Sequence, residues 1–543
     1  MRQLNQFILA DLIRLRAEEK PDLDVLTFEH LSLDDCATPD EVRSYADLAE
    51  NANRIAANLI ARGMRKGDRF AVMMRNHPEF VEAMIAASLA GCIFIPIDPR
   101  TRSDKLAFLL RNSGSRGVFC SDDNAGQILA IREQVPDLEW LLALESGEAD
   151  APALGDLAGV SPLAEVLGTP AESVDPRVDD VGQPLQIIYT SGTTGDPKGI
   201  VGDHMRFGGT GMLGGVFGYA EDERPYTGLS FTHNNAQATA LAPSLMSGYR
   251  AVLSRRFTKS RLWDVCRRYG CTTFSMVGGM ATGIYSEPPR EDDADNPVAM
   301  VVSGGMPSAI WEAFEKRFDL RIFEFYGASD GGGMAYKPVG VGPVGSFGKP
   351  MDSVTMKILD GEDKECPPGV IGEICCRPAT GEDATVEYHE NPEASRKKIS
   401  RGWNRSGDMG HRDAEGWLYF DYRAGAGIRH NGDFVSTSAV EKVVAEDPQV
   451  SDVFVYGVPA ASGAPGEKDV IAAIVASDAQ SFDPQAVFEH CRKGLEPNCV
   501  PSYLQLLDEI PKTASEKPQE RFLQERFSPQ ADDVFTAQRA ASR

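Results

Sequence analysis

The densest group of chemically capable residues is Tyr189-Thr190-Ser191-Gly192-Thr193-Thr194-Gly195-Asp196-Pro197-Lys198-Gly199. Glycines let the backbone fold closely around oxygen atoms, the hydroxyls and amide N–H groups donate hydrogen bonds, and Lys198 adds positive charge. That set suits a polyphosphate. A Walker A loop needs a lysine followed by Ser or Thr, whereas Lys198 precedes Gly199, so this loop is of another kind. A flexible surface turn is the competing reading. Two G-x-G-x-x-G matches, Gly209-Gly211-Gly214 and Gly340-Gly342-Gly345, lack the strand-to-helix setting of a dinucleotide site and are read as helix packing and turns.

Other residues carry chemistry only in combination. Asp408, in Ser406-Gly407-Asp408, offers two acceptor oxygens to a diol, although alone it reads as a turn residue. Asp330 has the hard oxygen that a divalent cation prefers. Lys517, taken singly, is a lysine in a polar loop and reads as solvated. His233, read alone, is a hydrogen-bonded structural residue. Arg396-Lys397-Lys398-Arg401 could receive phosphates, but a solvated helix face is the preferred reading.

The elements that must position these residues alternate. A helix over 45–62, a strand over 69–74, a helix over 78–90 and a strand over 92–97 predict parallel pairing in an α/β sheet. The segment 144–183 reads as a solvated connection, and the strand 185–189 runs from it into the glycine-rich loop. A further α/β stretch covers 227–349, and short strands follow to 421. The chain then restarts with a strand–turn–helix over 428–446, strands at 450–458 and 469–475 and a helix near 485–493, in a section of independent-domain size. No internal repeat is found.

With 543 residues the chain implies roughly three to four structural units. Its net charge of −25 argues against nucleic acid or an anionic membrane as the main partner, so a polyanionic substrate needs a locally positive pocket. The opening MRQLNQFILADLIRLRAEEKPD reads as an amphipathic helix rather than a signal peptide, and no apolar run reaches the ~18 residues of a membrane span. Ten cysteines without a C-x-x-C pair make no disulfide framework. A cytoplasmic location is the expectation.

The glycine-rich loop resembles the signature of the adenylate-forming superfamily: acyl- and aryl-CoA ligases, peptide-synthetase adenylation domains and beetle luciferases. Further segments resemble the family's motifs in order. They are the aromatic/His segment 229–237, Ser303-Gly304-Gly305-Met306, Glu324-Phe325-Tyr326-Gly327-Ala328-Ser329-Asp330, the strand motif 368–374, Arg405-Ser406-Gly407-Asp408, Arg423 fifteen positions after Asp408, and Pro511-Lys512-Thr513-Ala514-Ser515-Glu516-Lys517. Among subfamilies, 288–297 and Asn235-Ala236-Gln237 resemble carnitine/crotonobetaine-CoA ligases, and an adenylating ligase of diterpenoid-antibiotic biosynthesis is also similar.

The resemblance implies a multi-domain α/β fold. A large N-terminal domain (1–422), of α/β subdomains plus a small barrel-like region, would hold ATP and the acyl group; a small mobile α+β C-terminal domain (423–543) would carry the catalytic lysine. It implies catalytic roles for Lys517, Asp330 and His233. Nucleotide contacts fall on Thr190, Ser191, Gly192, Thr193, Thr194, Lys198, Gly304, Gly305, Met306, Glu324, Phe325, Tyr326, Ser329, Asp408, Phe420 and Arg423. The acyl pocket falls on His233, Asn235, Gly278, Gly279, Gly304, Gly331, Gly332 and Gly333, whose missing side chains would leave room for a bulky apolar acid. Mg²⁺ would sit at Asp330 and ATP is the implied co-substrate, with CoA or a separate thioester-forming protein completing the reaction. The chain departs from the family at Ser329-Asp330 (usually Thr-Glu), at Glu516 (usually Gly), and at the hinge, where Gly425 and Ala426 replace a charged residue and an Asp.

Overall fold

The computed structural model describes residues 3–31, 39–148, 150–190, 197–331, 333–423, 428–430, 433–435, 437–461, 468–495, 498–513 and 516–537. The chain forms two compact units, residues 1–275, 297–299 and 387–395, and residues 276–296, 300–386 and 396–543.

In the first unit the alternation of helix and strand builds a seven-stranded sheet in the order Ser161–Pro162, Trp140–Leu144, Ser115–Ser121, Arg69–Met73, Ile93–Pro96, Pro184–Tyr189, Gly199–Asp203. All neighbours are parallel except the last pair. Ala71, Ile95, Val118, Leu141 and Ile187 pack beneath Leu106 and Leu110 as its core. Helix Pro78–Ala90 starts on a proline, whose lost N–H is an orphan there anyway, and stops at Gly91 in the left-handed conformation. Helix Tyr45–Ala61 starts on a reciprocal Ser44–Asp47 capping box. The 144–183 connection is less solvated than its composition suggests. It contains the edge strand Ser161–Pro162 and the helix Leu163–Leu167, which buries Leu163 and Val166. A second sheet pairs Thr273–Val277, Pro225–Thr227, Ala251–Ser254 and Asp24–Glu29 in parallel, with Glu41–Ser44 antiparallel at its edge.

The first glycine triplet lies on helices His204–Gly211 and Leu213–Phe217. There a side chain on Gly211 would meet Met246 and one on Gly214 would meet Tyr249, so the triplet serves helix packing. The opening helix is amphipathic as expected, spans Leu9–Glu19 and buries Leu9, Leu12 and Ile13.

In the second unit Met300–Gly304 and Arg321–Gly327 run parallel, with Met334–Lys337 and Lys349–Pro350 added antiparallel. A separate antiparallel sheet joins Val354–Leu359, Gly372–Pro378, Trp403–Arg412 and Leu418–Arg423. The C-terminal region has its own four-stranded sheet, Val450–Pro459, Lys468–Ala476, Tyr503–Leu507 and Val534–Phe535. Helices Thr437–Ala445 and Pro484–Gly494 contribute Val440, Val444, Val487 and Phe488 to its core. The fold is multi-domain α/β with an α+β C-terminal region. Among the described residues no helix is long and apolar enough to cross a membrane, and the cysteines are free and, apart from Cys499, buried.

Candidate active site

In the first unit the glycine-rich loop is the connection of a β-hairpin, because Tyr189 pairs with Gly199 across its mouth. Thr190 N–H donates to the Lys198 carbonyl at 3.0 Å, and the Lys198 ammonium lies 5.4 Å from the centre of the Tyr388 ring. Ser191, Gly192, Thr193 and Thr194 lie outside the described residues. His233 is half-buried and precedes the short helix Asn234–Ala236, which carries Asn235 and continues into a π-helical turn, Gln237–Leu241. Sequence periodicity gave no sign of that turn. Gln237 donates to the Phe231 carbonyl at 2.8 Å and Thr239 to that of Asn235 at 2.9 Å, so the His233 segment is tied from both ends.

In the second unit Ser303 and Glu324 are register partners on adjacent parallel strands. The Glu324 carboxylate therefore reaches the turn beyond Gly304, accepting from Gly305 N at 2.6 Å and Met306 N at 3.2 Å. Burial pushes this carboxyl up to about 7, against the opposing pull of the Gly305 N–H. Glu324 thus shapes the 303–306 turn. Tyr326, two residues on, donates to Asp408 Oδ2 at 2.7 Å while its ring stacks on Phe347 at 4.6 Å. Arg423, the register partner of Asp408, donates to Oδ1 at 2.7 Å. The motif at 368–374 acts through Glu373, which accepts from Gly407 N at 2.8 Å and Arg405 Nε at 2.7 Å and so braces the turn before Asp408. Phe325 and Ser329 flank these residues, half-buried, whereas Phe420 stands 48% exposed on the Arg423 strand.

The lysine loop closes on itself. Thr513 N–H donates to the Lys517 carbonyl at 2.8 Å, Glu516 N–H to the Thr513 carbonyl at 2.9 Å, and the Lys512 ammonium is anchored on Asp452 at 2.6 Å. Glu516 adopts φ +58°, the left-handed conformation that glycine takes without strain, at a cost of about 1–2 kcal/mol. Replacing the family's glycine therefore strains the loop without opening it. Lys517 is exposed to solvent along its side chain, with its ammonium partly withdrawn from water. That withdrawal and the Arg423 charge pull its pKa below the ordinary lysine value, while Asp408 and Asp330 oppose the fall. Lys517, Asp408, Arg423 and Asp330 thus form one electrostatic group.

Asp330 does not stand open for a metal. The Lys398 ammonium lies 2.6 Å from its Oδ2, with both side chains largely buried, and Asn404 Nδ2 donates to its carbonyl at 2.9 Å. Magnesium at a nucleotide site is ordinarily held by one or two carboxylates together with water and substrate phosphates; here the charge of the one carboxylate, Asp330, is already compensated by Lys398, and among the described residues no cluster of three His, Cys, Asp or Glu adds further ligands. A protein-held Mg²⁺ at Asp330 does not fit this arrangement. Lys398, expected on a solvated helix face, is instead turned inward.

Residues 13–381 match the AMP-binding enzyme family, and residues 439–517 match the AMP-binding enzyme C-terminal domain. The chain belongs to the AMP-binding enzyme family. It is thereby an AMP-forming ligase of the acyl-CoA synthetase type. Curated relatives include the crotonobetaine/carnitine–CoA ligase of Salmonella paratyphi C (strain RKS4594), 27% identical over 494 residues, covering 87% of this chain and 91% of the relative. The Salmonella arizonae protein of the same name is 28% identical, covering 90% and 94%. Among solved structures, an anthranilate CoA ligase bound to anthranoyl-AMP superposes with TM-score 0.82 at 22% identity, covering 95% of this chain and 96% of that one. A benzoate CoA ligase from Burkholderia xenovorans LB400 gives 0.79 at 21% identity, covering 95% of this chain and 99% of that one. At those identities the structures speak for the fold alone.

Two of the glycines expected to hollow out an acyl pocket in this AMP-binding enzyme, Gly278 and Gly333, sit where a side chain would collide. A Cβ on Gly278 would lie 2.6 Å from the Gly305 carbonyl, one on Gly333 would lie 2.6 Å from Val354, and one on Gly279 would touch the Glu516 carbonyl and Lys512. Gly278 and Gly333 are sites of close packing, whereas a Cβ on Gly279 would make only ordinary contact, at 3.4 Å or more. Gly331 takes φ +84°, and Gly332 lies outside the described residues.

Proposed function

We propose that this chain activates a small-molecule carboxylic acid with ATP, forming acyl-AMP and releasing pyrophosphate. The observation that carries this reading is the convergence of Lys517 with Asp408 and Arg423. A ribose diol donates to the Asp408 lone pairs left over by Tyr326 and Arg423, the 303–306 turn and Tyr326 flank the adenine, and the loop over 190–198 takes the phosphates on the strength of its composition. His233 and Asn235 serve the acyl side. A carboxylate oxygen of the acid attacks the α-phosphorus; a P–O bond forms, the bond to the bridging oxygen breaks, and pyrophosphate leaves with the electron pair. Lys517 stabilises the charge that builds on the phosphoryl oxygens, a contribution fixed in place before reaction. Magnesium enters as part of the nucleotide substrate.

Residues 423–543 act as the mobile domain, turning at Gly425. The hinge Ala424-Gly425-Ala426-Gly427 lies outside the described residues and carries no charged side chain. A second orientation needs contacts of its own, and a shortfall of about 1.4 kcal/mol lowers its population tenfold. On this ground thioester formation, attack of the CoA thiol on the acyl carbonyl with AMP leaving, is slow on this chain or passed to a partner protein. The relatives that are crotonobetaine/carnitine–CoA ligases favour a complete two-step ligase as the second reading. Following acyl-AMP and acyl-CoA separately in the presence of acid, ATP and CoA decides between them. Accumulating acyl-AMP supports the first; thioester appearing as fast as pyrophosphate supports the second.

A further inference from the structure

Lys398 ends the helix Pro392–Lys398, whose last turn is Arg396, Lys397 and Lys398. Arg396 and Lys397 are exposed. The Lys398 side chain is only 14% exposed, its ammonium 2.6 Å from Asp330 Oδ2, itself 12% exposed. It also donates to the Ser406 carbonyl at 3.2 Å. The strand Trp403–Arg412 therefore holds Asp330 twice, through Asn404 on its backbone carbonyl and through Ser406 by way of Lys398. Asn404, Ser406 and Asp408 alternate along that strand and are all buried, so the elements that fix Asp330 also fix Asp408.

The charges have a definite balance. Asp330 and Asp408 face Lys398, Arg423 and Lys517, two carboxylates against three cations. Without Lys398 the group would be neutral, in a chain of net charge −25 that otherwise repels a polyphosphate.

We propose that Lys398 is a positioning residue that locks Asp330 and, as a cation built into the site, supplies part of the positive charge that a divalent ion would otherwise bring to the nucleotide phosphates. This rests on the adenylation reading. The consequence is an ATP site that tolerates loss of Mg²⁺ better than a site with a free carboxylate, since an unpaired Asp330 would repel the phosphates.

The test is equilibrium titration of ATP and of AMP, each with excess Mg²⁺ and with EDTA, for wild type, Lys398→Met and Lys398→Arg. One unit charge in a partly desolvated site is worth about tenfold in affinity. Lys398→Met is expected to weaken ATP binding about tenfold in EDTA, to recover much of that loss with Mg²⁺, and to leave AMP binding within about twofold; Lys398→Arg should restore the wild-type pattern. Equal weakening of ATP and AMP under both conditions, or a misfolded Lys398→Met with Lys398→Arg equally deficient in its Mg²⁺ response, would assign Lys398 a purely structural role and overturn the proposal. Wild type that binds neither nucleotide would overturn the adenylation reading itself.

Discussion

Deleting one oxygen, in Tyr326→Phe, isolates the support beneath Asp408. The hydroxyl donates to Asp408 Oδ2 at 2.7 Å, and the Asp408 side chain is only 8% exposed. A hydrogen bond to a buried charged group is worth about 1.5–3 kcal/mol, or roughly 10- to 150-fold in an equilibrium constant. The other partner, Arg423, is 57% exposed, so its contact is screened by water and worth about 1 kcal/mol or less. The tyrosine hydroxyl is therefore the stronger of the two constraints. The ring should stay in place, because it stacks on Phe347 at 4.6 Å and Phe has the same ring. AMP affinity, measured by calorimetric titration so that no acid need be known, should fall at least tenfold, with the thermal midpoint nearly unchanged. AMP binding within twofold of wild type would refute the argument that this hydroxyl orients Asp408 for the nucleotide.

Two further outcomes follow from buried groups in the same unit. Glu324, ordinarily ionising near 4.5, is pushed up to about 7 in the folded chain, so the native state favours its protonated form. That contribution is complete below about pH 4.5 and is lost as pH rises through 7, up to roughly 3 kcal/mol. Glu324→Gln should therefore gain stability relative to wild type between pH 5 and pH 8 in thermal denaturation, and a difference independent of pH would count against the raised value. Gly278→Ala places a methyl 2.6 Å from the Gly305 carbonyl, an overpacking that typically costs about 1–3 kcal/mol. Lower stability with unchanged preference among acids of different bulk is expected; unchanged stability with a shift toward smaller acids would restore Gly278 to an acyl pocket.

Much of the fold was legible where local chemistry and periodicity agree. Helix Pro78–Ala90 has a proline at its start and Gly91 at its end, and its limits match those read from sequence. The strands Val450–Pro459 and Lys468–Ala476 fall within a residue or so of the expected ones because their apolar runs are bounded by turn residues. The edge strand Ser161–Pro162 and the final strand Val534–Phe535 were not legible, since two residues carry no periodicity and depend on a neighbour already in place. Motif order brought Tyr326, Asp408, Arg423 and Lys517 to one region, and the structure adds the hydrogen bonds that connect the first three. Gly278 and Gly333 were read too simply, because what glycine does depends on where its absent Cβ would point, which only the packed chain decides. Lys398 escaped for a related reason: three adjacent cations look alike in sequence, and only the packed chain shows that Lys398 is the one that faces inward.

Whether Lys517 works on a carboxylate–ATP reaction is read out by acid-dependent ATP–pyrophosphate exchange. Wild type and Lys517→Ala are assayed over a panel of carboxylic acids, with nucleotide binding measured in parallel. The account predicts exchange by wild type with at least one acid, a loss of about 10²–10³ in rate for Lys517→Ala, and retained nucleotide binding. Exchange at the wild-type rate in Lys517→Ala would contradict it.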